Sequence, residues 1–304
     1  MNILDFDKIF VLGAGAIGSV FGALLAKRYD VVLIGRETHI QTIKSKGLML
    51  SGDVNETFHL KAETEITAIP RKSLILLTTK AYDCARSVEK IKRLLKEDTV
   101  ILVLQNGIGN EEIVKKIVGS KGKILRGVTS MAAGFFEAGK IKFWHGKTVV
   151  ERGEASAKIC GVFNSCGLEA CVSDIRFEVW NKTVVNCVVN PLTALLHVRN
   201  CDVIVDTLKS VRHGVVNECV CVGRAEGVIL PERLEEKIDM EIAKYTNFSS
   251  MYQDIVKGKR TEIDFLNGKI VELGKKHEVP TPINEVLTAC IKFLEDKNAV
   301  SRRY

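Results

Sequence analysis

The chain has 304 residues, which is long for a single hydrophobic core and enough for two domains. Hydrophobic residues make up 46% of it and charged residues 27%, which is ordinary for a globular protein. The net charge of +7 is dispersed among acidic residues rather than gathered in a basic stripe. This composition argues against a nucleic-acid-binding protein and allows attraction of small anions.

The cysteines and the N-terminal sequence indicate the cellular compartment. There are nine cysteines, irregularly spaced and without a C-x-x-C pair, which favours free thiols over a disulfide scaffold. The N-terminus lacks a cationic segment followed by an apolar core, and no apolar run reaches the ~20 residues of a membrane span. We therefore expect a cytoplasmic protein, without a membrane partner and without metal ligands.

The first half alternates short apolar runs with segments of helical period. Predicted strands cover residues 8–12, 31–34, 73–79 and 99–104, and predicted helices cover residues 17–28, 85–95 and 110–116. Such alternation is typical of a parallel sheet covered on both faces. Residues 125–132, 140–144 and 148–151 should form later strands, arranged as hairpins at a sheet edge. We predict an α/β fold with an N-terminal Rossmann-type parallel-sheet domain over residues 1–173.

From about residue 174 the strand-like runs give way to long helical periods. Predicted helices cover residues 177–196, 202–227, 231–246, 262–277 and 284–297. Pro231 occupies a position typical of the first helical turn. The second domain, residues 174–304, is predicted to be all-α.

A glycine-rich turn follows the first predicted strand. Residues Gly13, Ala14, Gly15, Ala16, Ile17 and Gly18 match the pattern G-x-G-x-x-G at the start of a helix. The three glycines would serve the tight turn, the approach of a pyrophosphate and helix–strand packing, while the helix N-terminus attracts phosphate. The pattern predicts dinucleotide binding; the alternative is a tight strand–helix turn without a ligand.

Two cations suggest which dinucleotide binds. The second predicted strand ends at Arg36, where an NAD-binding fold usually has an acidic residue for the ribose hydroxyls. A guanidinium can hold a 2′-phosphate by paired hydrogen bonds, so we predict NADPH, the alternative being a solvated arginine. Lys80, after the strand of residues 73–79, could add a second cation near the adenosine phosphate or the nicotinamide.

The segment from Trp180 to Pro191 contains a polar row in apolar surroundings. Lys182, Asn186 and Asn190 are four residues apart and share one helix face. Unpartnered burial costs roughly 1–3 kcal/mol for each such group, so the row needs a purpose. We interpret it as a polar wall facing the bound cofactor; the alternative is a seam hydrogen-bonded to another helix. Pro191 should free the carbonyl of Cys187 within this helix.

A lysine in a dry site is a plausible general acid, since desolvation lowers the pKa of an ammonium group. When hydride reaches a ketone carbon, charge develops on the oxygen, and Lys182 could stabilise that charge and supply the proton. Further along, Ser249, Ser250 and Thr261 are plausible helix N-caps. Glu262 would then lie in a first helical turn, where it should stay ionised and accept hydrogen bonds.

Six motifs resemble the ketopantoate reductase family in its own order. They are GAGAIG (13–18), TTKAYD (78–83), QNGIG (105–109), WNKTVVNCVVNPLTAL (180–195), NFSSMYQD (247–254) and RTEIDFLNG (260–268). The chain departs from the family at Asn181, where a cation is common, and residues 137–146 contain no motif that can be matched.

The resemblance implies reduction of 2-dehydropantoate to (R)-pantoate by NADPH, a step of pantothenate biosynthesis. It implies Lys182 as general acid and Glu262 as the group that orients the substrate hydroxyl or the lysine. Substrate polar groups would be held by Asn186, Asn190, Asn247 and Ser250, and Asn106 would lie near the nicotinamide ribose and the substrate. The protein would act as a monomer or homodimer.

Two alternatives stay open. The chain could reduce another small 2-keto acid on the same scaffold. It could also be a redox-sensing module that binds NADPH without turnover, although a sensor would not require Lys182.

Overall fold

The computed structural model describes residues 6–301; residues 1–5 and 302–304, at the outer ends of the two predicted domains, lie outside the described residues. Two compact units divide the chain. Unit 1 runs to Gln105 and resumes over Gly109–Ile175, and unit 2 runs from Arg176 onward. Unit 2 also takes in the short loop Asn106–Ile108, which the sequence did not predict.

Unit 1 contains twelve strands and five helices within the described residues. The strands are β1 (Lys8–Leu12), β2 (Val31–Ile34), β3 (Leu48–Gly52), β4 (Glu56–Phe58), β5 (Lys61–Glu63), β6 (Ser73–Leu77), β7 (Val100–Val103), β8 (Lys123–Thr129), β9 (Ala132–Glu137), β10 (Lys140–Trp144), β11 (Thr148–Glu151) and β12 (Ala170–Ser173). The helices are α1 (Ala16–Leu25), α2 (Glu37–Lys46), α3 (Cys84–Ile91), α4 (Asn110–Val118) and α5 (Ser156–Ser165).

The main sheet has the strand order β12-β11-β8-β7-β6-β1-β2-β5, and every neighbouring pair is parallel except β8 with β11. Successive side chains of a strand point to opposite faces. In β6, Leu74 and Leu76 therefore join one buried cluster, while Ile75 and Leu77 join another. Both faces are thus covered by apolar packing, as in α/β folds. The predicted Rossmann-type domain is confirmed.

A second sheet, of order β4-β3-β10-β9, forms from strands that the sequence predicted only in part. The single strand predicted over residues 125–132 was wrong: β8 ends at Thr129 and β9 begins at Ala132. Strands β9 and β10 form an antiparallel hairpin with Gly139 at φ +77° in its turn; the sequence predicted hairpins in this region and the strand β10, but not the strand β9. Strand β11 instead joins the main sheet through β8.

The described residues of unit 2 are helical and contain no strand. The helices are α6 (Ile175–Leu196), α7 (Asp206–Ala225), α8 (Leu234–Ile242), α9 (Ser250–Val256), α10 (Asn267–Lys276) and α11 (Pro282–Ser301). A buried cluster built largely from α6, α7, α10 and α11 forms the core of this unit. The predicted helical second half is confirmed. In residues 6–301, no helix combines the length and apolarity that a membrane span requires.

Two details of the predicted helices were wrong. Pro231 does not lie in a first turn, because α8 begins only at Leu234, after Arg233 in the left-handed region at φ 54°. The helix predicted over residues 262–277 is interrupted: a 3-10 turn, Ile263–Phe265, precedes α10. Leu266 separates the two with φ −111° and ψ −107°, which is not helical backbone.

Candidate functional site

The three glycines between β1 and α1 meet different surroundings. Gly13 has φ +121°, and a Cβ there would lie 2.5 Å from the backbone nitrogen of Thr79. A Cβ on Gly18 would lie 2.1 Å from the carbonyl oxygen of Gly13, so this glycine lets the helix pack against the turn. A Cβ on Gly15 would meet nothing within 4 Å. Open space therefore lies beside Gly15, where the fingerprint requires a pyrophosphate to approach.

The N-terminus of α1 has the donors that a phosphate group needs. Gly15 is its N-cap, without a capping side chain, and the amide of Ser19 donates the first intrahelical hydrogen bond to the Gly15 carbonyl at 2.9 Å. The amides of residues 16–18 consequently have no acceptor within the helix. Together with the partial positive charge of the helix end, these donors fit a dinucleotide pyrophosphate.

Arg36 follows β2 beside the same turn. The amides of Gly13 and Ala14 both donate to the Ile34 carbonyl, at 3.0 and 2.7 Å. Arg36 is exposed, and its side chain forms no hydrogen bond or ion pair with the residues that the structure describes. The guanidinium is therefore available to an anionic ligand near the glycine turn.

Lys80 comes just after the carboxyl end of β6. The hydroxyl of Thr78 donates to the Gly13 carbonyl at 2.9 Å, and the Gln105 amide donates to the Thr79 hydroxyl at 3.3 Å. These bonds tie the ends of β6 and β7 to the glycine turn. Lys80 is half-buried at this edge of the sheet, where ligands of α/β sheets bind.

The polar row lies on α6, in the core of unit 2. Lys182 and Asn186 are half-buried and Asn190 is only 5% exposed, while Val184 and Val188 on the same helix are fully buried. The side-chain amides of Asn186 and Asn190 form no hydrogen bond with the side chains and backbone that the structure describes. This argues against a seam bonded to another helix and leaves both amides available to water or a ligand.

Glu262 and Asn106 are brought together within unit 2. The Asn106 amide donates to Glu262 Oε2 at 3.3 Å, and Glu262 is 6% exposed. The Ile108 amide donates to the Phe265 carbonyl at 3.2 Å, so the 106–108 loop rests on the turn that follows Glu262. Glu262 is the N-cap residue of that short turn rather than part of a first helical turn, which corrects its predicted location. It accepts a hydrogen bond, as predicted.

The serines near residue 250 have separate roles in the structure. Ser249 is the N-cap of α9: its hydroxyl accepts a bond from the Tyr252 amide at 3.0 Å and another from the Thr193 hydroxyl of α6 at 2.7 Å. The Ser250 hydroxyl is on an exposed residue, and the Asn247 amide bonds only its neighbour's carbonyl among the described residues. These two predicted substrate residues form no hydrogen bond with the other predicted ones.

The sequence interpretation missed Arg126, a lone arginine in the apolar strand β8. It is 2% exposed, and its guanidinium donates to the carbonyls of Val103 and Gln105 at 2.8 and 2.6 Å. Its Nε lies 3.3 Å from Glu111, whose pKa is raised by burial despite the opposing effect of this arginine. Arg126 therefore fixes the end of β7, immediately before Asn106.

Comparison with known proteins covers both units. The family models described as Ketopantoate reductase PanE/ApbA and its C-terminal part match residues 9–156 and 174–295. A 2-dehydropantoate 2-reductase of Pyrococcus horikoshii is 38% identical over 97% of this chain and 100% of its own length. Two solved structures have TM-scores of 0.90 and cover 96% of this chain and 99% of theirs. One is a PanE/ApbA family ketopantoate reductase from Ralstonia eutropha at 30% identity, and the other a D-mandelate dehydrogenase with NADH and anilino(oxo)acetate at 31%.

Proposed function

The chain belongs to the ketopantoate reductase family, and on that premise we propose that it reduces 2-dehydropantoate to (R)-pantoate with NADPH, in pantothenate biosynthesis. The observation that carries the proposal is the polar row on α6. Lys182 shares its face with the half-buried Asn186 and the buried Asn190, whose side-chain amides have no partner among the described residues. Such groups suit a small polar substrate that must be oriented and protonated.

The cofactor is bound by groups of unit 1. The N-terminal amides of α1 would hold the pyrophosphate, for which there is space beside Gly15. Arg36 would hold the 2′-phosphate, since a guanidinium suits that group, and this is the basis for proposing NADPH rather than NADH. Lys80 adds a second positive charge at the same edge of the sheet. When bound, the cofactor supplies the hydride that reduces the ketone carbon.

The protein groups that act on the substrate come from unit 2. Lys182 donates a hydrogen bond to the ketone oxygen, stabilises the charge that develops there and transfers its proton to that oxygen. Glu262, already bonded to Asn106, accepts from the substrate hydroxyl or from Lys182 and so orients them. The amides of Asn186 and Asn190 bind substrate oxygens.

The substrate carboxylate is assigned to the start of α9. The exposed hydroxyl of Ser250 and the half-buried amide of Asn247 both offer hydrogen-bond donors to an anion. Ser249 is left out of this assignment, because it is only 3% exposed and its hydroxyl accepts bonds from Thr193 and Tyr252 as the N-cap of α9.

A second candidate is reduction of a different 2-keto acid. It is favoured by the likeness to D-mandelate dehydrogenase, which matches this chain as well in TM-score as the ketopantoate reductase from Ralstonia eutropha. Both candidate substrates carry the 2-keto acid group that the polar row on α6 would bind, so their rates of turnover must be compared directly.

Steady-state turnover of a panel of 2-keto acids, each with NADPH and with NADH, tests the proposal. We expect 2-dehydropantoate to have the highest kcat/KM, and NADPH to be preferred. Turnover of phenylglyoxylate above 2-dehydropantoate would replace the first candidate by the second. If none of the keto acids were reduced although NADPH bound, the chain would be the sensing module instead.

A further inference from the structure

The proline of α6 has the predicted effect on Cys187, and a side chain from another helix compensates for it. Helix α6 continues through Pro191, which has no N–H to donate to the carbonyl one turn earlier. That carbonyl belongs to Cys187, a fully buried residue of the core. The Nδ2 of Asn267, the first residue of α10, donates to it at 2.9 Å. A carbonyl that would otherwise be unpaired in the core is therefore satisfied.

Asn267 also belongs to a buried network of polar side chains. Its Nδ2 also donates to Asn284 Oδ1 at 2.9 Å, and both asparagines are fully buried. Asn284 in turn donates to Glu218 Oε2 through its side chain at 2.7 Å and its backbone at 3.0 Å. The Asn267 amide oxygen has no hydrogen-bond partner among the described residues. The amide nitrogen thus makes both bonds, and only the bond to the Cys187 carbonyl reaches α6.

Asn267 connects the two segments to which catalytic roles are assigned. Cys187 is the neighbour of Asn186 on α6, the helix that carries Lys182. Along the chain, only the turn Ile263–Phe265 and Leu266 separate Asn267 from Glu262. The bond from Asn267 to Cys187 therefore joins the helix of the proton donor to the segment of its orienting carboxylate.

We propose that Asn267 is a positioning residue: by bonding the Cys187 carbonyl, it sets the place of Lys182 relative to Glu262. The inference rests on the proposed function. A misplacement of about 1 Å in a catalytic group can lower turnover ~100-fold, so one bond between these segments has a measurable effect.

Four variants test this proposal: Asn267→Ala, Pro191→Ala, the two combined, and Asn284→Ala as the matched control. Asn284 is equally buried and belongs to the same network but does not touch Cys187. We expect Asn267→Ala to lower kcat about tenfold and to leave the KM for NADPH within about twofold, since the glycine turn belongs to unit 1. Asn284→Ala should lower the urea midpoint similarly but keep kcat within about twofold.

Pro191→Ala makes the test specific, because alanine restores an N–H that can bond the Cys187 carbonyl within α6. In that background Asn267→Ala should lower kcat by no more than about twofold, and its effect on the urea midpoint should shrink as well. If the effects of Pro191→Ala and Asn267→Ala on kcat simply multiplied in the double variant, the proposal would be overturned. It would also be overturned if Asn284→Ala lowered kcat as much as Asn267→Ala does. Should Asn267→Ala fail to fold, Asn267→Ser retains a hydroxyl donor and should give a smaller loss, also relieved by Pro191→Ala.

Turnover of the wild type and the urea midpoints of the variants separate this inference from the proposed function. A wild-type chain that reduced no keto acid would overturn the proposed function. An active wild type in which urea midpoints showed no coupling between positions 191 and 267 would overturn the inference alone.

Discussion

Alanine at Gly15 and alanine at Gly18 should separate cofactor binding from folding, because the surroundings of the added methyl group differ. At Gly15 a Cβ meets no atom within 4 Å, and its φ of −80° suits any residue. At Gly18 a Cβ would lie 2.1 Å from the Gly13 carbonyl oxygen and 2.5 Å from the Thr78 hydroxyl. Both distances are far below van der Waals contact, so at Gly18 the backbone of the turn must move.

These distances set the expected magnitudes. Gly15→Ala should change the free energy of unfolding by less than ~1 kcal/mol, since the native conformation accepts alanine without strain. Gly18→Ala should lower it by about 2–4 kcal/mol, as overpacking against backbone does. The methyl group at Gly15 would occupy the space assigned to the pyrophosphate, so this variant should bind NADPH at least ~10-fold more weakly, a loss of about 1.4 kcal/mol.

Urea unfolding of the cofactor-free protein and fluorescence titration with NADPH measure the two effects separately. Gly161→Ala is the matched control: this glycine lies in α5, and a Cβ there also meets nothing within 4 Å. It should be unchanged in NADPH affinity. A Gly15→Ala protein that bound NADPH like wild type would refute the assignment of that space to the cofactor. A Gly18→Ala protein with the wild-type urea midpoint would refute the packing argument.

Four further predictions concern single residues. Lys182→Ala should lower kcat at least ~100-fold while NADPH binding survives; unchanged turnover would remove Lys182 from its role as general acid. Arg36→Asp should raise the KM for NADPH at least ~10-fold and much more than the KM for NADH, and equal effects would contradict the 2′-phosphate assignment. Arg126→Met should cost about 3–5 kcal/mol in urea unfolding, since it leaves the Glu111 carboxylate buried without its cation; a loss below ~1 kcal/mol would contradict this. Burial lowers the pKa of His39 from 6.5 to about 4. The stability that this neutral ring contributes should therefore be complete above pH 6.5 and decline by up to ~3 kcal/mol toward pH 4. In His39→Phe, the free energy of unfolding in urea should change less between pH 6.5 and pH 4 than it does in the wild type.

The main sheet could be predicted because its signals are local. Strands β1, β2, β6 and β7 are short apolar runs bounded by polar or glycine residues, and each is found within two residues of its predicted ends. Helix α6 was equally visible from its apolar period. The second sheet was not, since β4 has only three residues and β3 pairs with β10 from a distant part of the sequence. Such non-local pairing leaves no periodic signal in either segment.

In the candidate site, the sequence likewise did not predict which side chains bond one another. Pro191 indicates which carbonyl of α6 is freed, because the missing N–H follows from covalent structure. It does not indicate that Asn267 supplies the replacement donor, since that depends on how α10 packs against α6. The sequence shows Arg126 as a charged residue in an apolar strand. It does not show which carbonyls Arg126 bonds, because they lie at the end of β7, the neighbouring strand in the folded sheet.

Two pairs of asparagines in unit 2 differ in their hydrogen bonding, and the difference supports the proposed assignment of roles. Asn267 and Asn284 are fully buried and donate hydrogen bonds within a network that ends on the Glu218 carboxylate, and both amide donors of Asn267 are used there. Asn186 and Asn190 are on a helix of the same core, yet their amides bond none of the described residues. Because buried amides rarely remain unbonded, the amide of Asn190 needs water or a ligand as a partner, and the half-buried amide of Asn186 is open to one as well. A substrate with a ketone and a carboxylate offers suitable acceptors, which is why the bond from Asn267 to Cys187 is assigned to positioning and the row on α6 to binding.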